Sequence, residues 1–280
     1  MNIKPILYLP VILLSLNLSC GAEDSVRDTD LLRDIFYPDV YARQGIGDNT
    51  PGNRFDQSEY RAVLKRFVTD KGVVNYEALA GNLSELDNYL DHLSVADLDK
   101  LSKYSRIAVL LNSYNAFTLK LITGYPGIKT IKDIPENKRW KDKRWILGGE
   151  KVSLDELEHE MIRKKYGDAR VHFALVCAAK SCPRLRNEPY SGDKLISQLD
   201  DQAREFFKEN DNFRWDHENN TVYLSEILDW FRNDFADDEK GVLDYLEKYL
   251  DNNIAAEIAG SKNVKIKYIP YNWSLNGTWK

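Results

Sequence analysis

One histidine and two cysteines lie within eleven residues of one another in the segment from Val171 to Pro183. Imidazole and thiol groups are the parts from which thiol nucleophiles and soft-metal sites are made. His172 lies in an apolar, β-branched run that predicts a buried strand; Cys177 ends that run, and Cys182 precedes the proline. The segment therefore predicts a nucleophilic thiol, a disulfide or a metal site.

The thiol hypothesis favours Cys182 over Cys177. Side chains alternate along a strand, so His172 and Cys177 would point to opposite faces, whereas Cys182 follows a turn and can return beneath the imidazole. Cys182 would then attack an amide or ester carbonyl with His172 as its base. Backbone N–H groups near Ser181 would supply an oxyanion hole.

Polar residues on two predicted helices are candidates to support this site. Asn112 and Asn115 share one face of an otherwise apolar helix, with Tyr114 between them. Buried amides must be hydrogen-bonded, so the two asparagines either tie the helix to neighbouring backbone or line a pocket and orient the imidazole. Glu158 and His159 lie in mid-helix and form either a surface ion pair or the carboxylate or second imidazole of the site. Both pairs of alternatives stay open.

A Cys177–Cys182 disulfide explains the same residues without catalysis, and it is slightly favoured. The protein would then be a binding or scaffold protein, with aromatic residues such as Trp140, Trp145, Tyr271 and Trp273 available for a ligand cleft. No second Cys-x-x-Cys or His-x₃-His pattern supports zinc, so no metal site is predicted. The sequence also lacks phosphate-binding and dinucleotide-binding glycine motifs, so no cofactor is predicted.

The first residues resemble a bacterial lipoprotein signal. Lys4 precedes a nearly uncharged apolar run that is too short for a membrane-spanning helix, and Ser19-Cys20-Gly21 follows it. We expect residues 1–19 to be removed and Cys20 to carry lipids that hold the protein at a membrane. The expected place is the bacterial cell envelope, at the periplasmic face or the cell surface. That compartment favours disulfides.

Composition narrows the classes of partner. Hydrophobic residues make up 43% and charged residues 30% of the chain, and its formal net charge is −5. A mildly acidic protein has no electrostatic reason to bind nucleic acid. A peptide or cell-wall ligand is the partner that the expected compartment makes available, besides the membrane itself.

The chain divides into a tether, residues 20–55, and one main domain, residues 56–280. Helical spacing predicts one helix from about Glu77 to His92 and two helices in residues 96–123 that break near Lys103. A hairpin in residues 145–152 precedes a helix that Ser153 caps. A pair of strands near Asn219 and a last strand, residues 264–269, complete the pattern. It indicates an α+β fold with many helices around a small, mostly antiparallel sheet.

Three blocks resemble a known family: Leu111–Thr118, His172–Pro183 and Tyr271–Asn276, with Val152–His159 between the first two. Together they resemble the domain of unknown function 547, which occurs in many bacterial envelope proteins. The similarity covers about residues 72–276. It implies a fold and a class of compartment and no settled function. Where the family pattern has an aspartate in the last block, this chain has Asn272. Asn272 therefore argues against any activity that requires this carboxylate.

Overall fold

The computed structural model describes residues 54–279. Two hydrophobic cores organise them. The larger core surrounds a helix that contains Leu111 and Phe117. The smaller core contains Phe173, Phe206 and Leu228. The predicted signal peptide, the lipidation site at Cys20 and nearly all of the tether lie outside the described residues.

Most of the described residues are helical. The α-helices are α1 Ser58–Phe67, α2 Tyr76–Ala80, α3 Ser84–Ser94, α4 Lys103–Thr123, α5 Leu154–Glu156, α6 Lys164–Tyr166, α7 Leu195–Lys208, α8 Ile227–Trp230, α9 Arg232–Phe235, α10 Glu239–Leu246 and α11 Asn252–Gly260. A π-helix, Leu157–Arg163, joins α5 to α6. Short 3₁₀ segments are Leu98–Lys100, Ile131–Asp133, Glu136–Lys138, Ala169–Phe173 and Glu247–Tyr249.

Three small sheets accompany the helices. The strands are β1 Val74–Asn75, β2 Trp145–Leu147, β3 Glu150–Val152, β4 Phe213–Asp216, β5 Thr221–Ser225, β6 Lys265–Ile269 and β7 Gly277–Thr278. Pairs β2–β3 and β4–β5 are antiparallel, whereas β5–β6 and β1–β7 are parallel. Helices α8 to α11 separate β5 from β6, and a connection of that length allows the parallel pairing. The predicted α+β class is confirmed.

Helix α4 is the centre of the larger core. Ser102 caps its first turn by accepting a hydrogen bond from Ser105 N at 3.3 Å. Nearly every residue from Ile107 to Thr123 is buried, which is the pattern of a helix enclosed on all sides. The predicted break before it is confirmed. Its length brings Asn112, Tyr114 and Asn115 into the interior.

The predicted strand at His172 is wrong, because residues 169–173 form a 3₁₀ turn. Asp168 caps this turn by accepting from Arg170 N at 3.0 Å. The Arg170 guanidinium is buried and pairs with both Asp168 and Asp200. Backbone groups are thus satisfied locally, and the apolar run is buried by side-chain packing instead of by a neighbouring strand. The face-parity argument for His172 and Cys177 therefore no longer applies.

The single helix predicted over residues 77–92 is also wrong. Helix α2 ends at Ala80, and Gly81 and Asn82 follow before α3 begins. The Asn82 side chain donates to Ala78 O at 2.9 Å, which satisfies one of the carbonyls left free at the end of α2. The hairpin β2–β3, the strand pair β4–β5 and the capping of a helix by Ser153 are all confirmed. None of the helices in residues 54–279 is long and apolar enough to cross a membrane.

Candidate functional site

A cleft of about 300 Å³ opens where the two cores meet. Tyr114 and Cys182, from the larger core, line one side. Ile227 and Phe231, from the smaller core, line the other. His172 also borders the cleft. A pocket between two cores, apolar with a few polar groups, is the usual setting of a ligand or active site.

The Cys182 sulfur collects hydrogen bonds at the floor of the cleft. Cys177 N donates to Cys182 Sγ at 3.0 Å, and Tyr271 Oη donates to the same sulfur at 3.1 Å. Burial by itself raises the pKa of this thiol, but hydrogen bonds from the Cys177 thiol, the Tyr271 hydroxyl and the amides of Ala179 and Cys177 outweigh burial. The net pKa of Cys182 lies below that of an ordinary cysteine, so the thiolate is favoured.

Cys177 takes the opposite direction. Its hydrogen bond to Cys182, its burial and the charge of the neighbouring sulfur raise the pKa of Cys177 well above the usual range. Both cysteines are free thiols in the structure, and Cys177 Sγ lies 3.4 Å from Tyr271 Oη. Of the two cysteines, Cys182 is therefore the more acidic, and Cys177 holds its proton more tightly.

The loop around Cys182 is fixed from beneath by α4. Asn115 Nδ2 donates to Ala174 O at 3.0 Å, and its Oδ1 accepts from Val176 N at 2.9 Å. Asn112 instead bonds both backbone groups of Tyr190, at 2.8 and 2.9 Å. Neither asparagine lines the cleft. Asn115 thus positions the cysteine loop, and Asn112 has the structural role that was one of its two alternatives.

The C-terminal segment fastens the other side of the loop. Lys180 N donates to Ser274 O at 2.7 Å, and Asn272 N donates to Ser181 Oγ at 2.8 Å. Strand β7 then pairs with β1, where a Cβ at Gly277 would lie only 2.3 Å from Val74 O. This docking places Tyr271 against the two sulfurs.

Asn272 itself stays outside the cleft. Its Oδ1 accepts from Ser274 N at 3.0 Å, which is a local turn that an aspartate would also make. The Asn272 side chain is therefore not one of the groups that contact the Cys182 sulfur.

The backbone amides that were expected to form an oxyanion hole near Ser181 have other partners in the structure. Ser181 N donates to Asn272 O at 3.2 Å, and Cys182 N donates to Ala179 O at 3.1 Å. These amides are already engaged and cannot also bind a developing oxyanion. Ser181 is a docking residue for the C-terminal segment.

His172 has a carboxylate partner that the sequence did not indicate. Its Nε2 lies 2.6 Å from Asp234 Oδ2, and Arg163 holds the same carboxylate at 2.7 and 3.1 Å. The hydrogen bond from His172, and then the Arg163 guanidinium, hold the pKa of Asp234 far below its usual range against the effect of burial. Phe231 stacks on the imidazole with ring centroids 4.1 Å apart.

The carboxylate that contacts His172 is therefore that of Asp234, whereas Glu158 interacts with Tyr114 and Asn112 bonds Tyr190. Asp234 lies 62 positions from His172, in a helical turn whose sequence carries no signal for this contact. With Nε2 engaged, Nδ1 is the nitrogen of His172 that remains for chemistry in the cleft.

The π-helix places Glu158 and His159 at the cleft. Burial, and then the charge of Glu158, raise the pKa of Tyr114 well above its usual range, and the two side chains are hydrogen-bonded. Arg163 Nη1 lies 2.6 Å from His159 Nδ1. Because a guanidinium only donates, Nδ1 accepts in this contact, and Nε2 is the nitrogen of His159 that carries a hydrogen. π-Helical turns are frequent at functional sites.

Aromatic rings form one wall of the cleft: Trp140, Trp230, Tyr271 and Trp273. Trp145, which was grouped with them from the sequence, lies elsewhere. It is buried and stacks on Phe117 with ring centroids 4.9 Å apart. No group of three His, Cys, Asp or Glu side chains within residues 54–279 is arranged to hold a metal ion.

Residues 98–207 match a family described as Protein of unknown function, DUF547. This match supports the domain of unknown function 547 family. It contains α4, His172 and both cysteines, and it ends before Asp234 and Tyr271. No curated protein matches the chain. No solved structure matches it either.

Proposed function

We propose that the protein is a thiol-dependent hydrolase or acyltransferase that acts on peptide or amide bonds, with Cys182 as the nucleophile. The observation that carries this proposal is the set of hydrogen bonds on Cys182 Sγ at the floor of the cleft. A thiolate is the reactive form of cysteine, and a structural thiol has no need of such stabilisation.

The reaction has two steps with balanced atoms. Cys182 Sγ attacks the carbonyl carbon, a C–S bond forms and the C–N bond breaks, and the leaving amine takes a proton from the His172 imidazolium. Water, or an acceptor amine in an acyltransferase, then attacks the thioester carbon and gives a proton to His172. A C–O or C–N bond forms, the C–S bond breaks, and Cys182 is released as the thiolate. Asp234 positions His172 and stabilises its charged form, as a carboxylate does in Ser-His-Asp sites.

The proton donors that remain for the oxyanion are side chains. Because Arg163 occupies Nδ1 of His159, its Nε2–H is a donor at the cleft. Tyr114 lies beside it, bonded to Glu158. Glu158 thus acts on Tyr114 instead of on His172.

We also propose that the protein is lipid-anchored in a bacterial cell envelope through Cys20. The apolar run that ends at Ser19-Cys20-Gly21 supports this. Growth with a clickable palmitate analogue is expected to label the full chain and not Cys20→Ser. Equal labelling of the two proteins would contradict the anchor.

A Cys177–Cys182 disulfide in a binding or scaffold protein is the competing proposal. The closeness of the two residues supports this competing proposal, since Cys177 N lies 3.0 Å from Cys182 Sγ. A permanent disulfide would consume the nucleophile, so the two proposals exclude each other.

The test is turnover of a defined digest of cell-wall peptides, with products identified by mass. Cys182→Ser is expected to lose about a thousandfold or more of the activity. Cys177→Ser is the matched control, because it keeps the backbone amide and a hydroxyl donor beside Cys182, and it is expected to retain activity. Equal activity of Cys182→Ser and the unchanged protein would refute the proposal.

A further inference from the structure

We propose that the aromatic wall, Trp140, Trp230, Tyr271 and Trp273, binds the ammonium group of an amine-bearing peptide. This inference deepens the proposed function. Only the role of the bound peptide as a substrate rests on that function. The three indole rings and the phenol are mutually packed. Trp230 and Trp273 stack with centroids 5.9 Å apart, and Tyr271 lies 4.9 Å and 4.6 Å from them.

The wall is accessible. Trp230 is 46% exposed, although large aromatic side chains are usually covered. A packed group of aromatic faces beside a cleft is the arrangement that recognises ammonium ligands through cation–π attraction.

The structure already contains one ammonium on this wall. Lys132 Nζ lies over the Trp273 ring, 3.7 Å from its centroid. That contact is closer than the ~6 Å within which a cation and a ring attract. The chain itself therefore shows that an alkylammonium fits a ring of the wall.

The charges of the cleft favour the same ligand. Three carboxylates, Glu136, Asp155 and Glu158, line it against two ammonium groups, that of Lys141 and that of Lys132 at the Trp273 ring. Within residues 54–279, the salt bridges pair neither Glu136 nor Glu158 with a basic side chain. An acyl donor with a positive amine thus meets both an aromatic face and an excess of carboxylates, whereas an anionic peptide would be repelled.

The experiment uses Cys182→Ser, which binds without chemistry, and isothermal titration calorimetry. The probes are Nα-acetyl-lysine methylamide and the same molecule with its Nε also acetylated, which removes only the charge. The charged probe is expected to bind about tenfold more tightly, as a cation–π site predicts. Trp230→Leu is expected to remove most of this difference.

Ile146→Ala is the matched control. Ile146 is 44% exposed, like Trp230, but lies outside the cleft, so its substitution is expected to keep the preference. Near-ultraviolet circular dichroism checks that each variant is folded. Equal binding of the two probes, no binding of either, or an unchanged preference in folded Trp230→Leu would overturn the proposal.

The two proposals fail separately. Ammonium preference in a protein that shows no Cys182-dependent turnover would refute the hydrolase and leave the ligand site standing. Cys182-dependent turnover with equal rates on charged and neutral peptides would refute the ligand site and leave the hydrolase standing.

Discussion

Replacing Tyr271 by phenylalanine removes one donor from the Cys182 sulfur and little else. The hydroxyl donates to Sγ at 3.1 Å, while the ring packs against Trp230 and Trp273 and would remain. A hydrogen bond to a charged group contributes about 1.5–3 kcal/mol. One pKa unit corresponds to about 1.4 kcal/mol, so the full loss would raise the pKa of Cys182 by about one to two units. Because Cys177 and the backbone amides remain, we expect about one unit.

The assay is the rate of alkylation of Cys182 by iodoacetamide as a function of pH. Trypsin cleaves after Lys180, between the two cysteines, so each thiol is followed in its own peptide. Thiolate reactivity is present above the pKa and falls as pH drops below it. The profile of Tyr271→Phe should therefore shift to higher pH, with about tenfold slower alkylation on the acid side.

The control is Tyr89→Phe, which removes a hydroxyl that donates to Gln57 at 3.1 Å, and neither residue lines the cleft. Its profile should match that of the unchanged protein. A shift of less than about 0.3 unit in Tyr271→Phe would refute the view that hydrogen bonds stabilise the thiolate, since even one weak bond is worth more.

Four further substitutions test the supports of the site. Asn115→Ala and Asn112→Ala should each cost about 1–3 kcal/mol of unfolding free energy in urea, because each leaves buried backbone groups unpaired, but only Asn115→Ala should slow Cys182 alkylation. Since His172 and Arg163 depress the pKa of Asp234, that carboxylate stabilises the fold above about pH 4 and this contribution is lost as pH falls; Asp234→Asn should show a weaker acid dependence of its urea midpoint. Ala178 has a φ of 64°, so Ala178→Gly should leave stability unchanged or raise it by up to about 1 kcal/mol, because relief of strain opposes the added chain entropy. A lower stability of Ala178→Gly, or equal alkylation of the two asparagine variants, would contradict these assignments.

The elements with a strong local signal were predictable from the sequence. The apolar length of α4, its break near Lys103, the capping of a helix by Ser153 and the hairpin β2–β3 all follow from spacing and turn residues. The strand at His172 was not, because an apolar run reports burial without reporting which element buries it. Here the ion pair between Asp168 and the buried Arg170 stabilises a 3₁₀ turn, and the spacing of residues in the sequence does not indicate that contact.

The candidate site shows the same division. The choice of Cys182, His172 and Glu158 came from residue type, and all three line one cleft. Their partners depend on tertiary contacts. Tyr271 reaches the sulfur from 89 positions away and Asp234 reaches the imidazole from 62. The tyrosine had a signal, because it opens the last of the three family blocks, and Asp234 had none.

The central claim is that Cys182 is a free, activated thiolate, and a site-resolved thiol count tests it most directly. The soluble form without residues 1–20, purified from an oxidising compartment, is alkylated at neutral pH without reductant and again after reduction, and its intact mass is measured. Two free thiols with rapid alkylation of Cys182, slowed in His172→Ala, is the predicted result. Two thiols released only by reductant would show a Cys177–Cys182 disulfide and contradict the account.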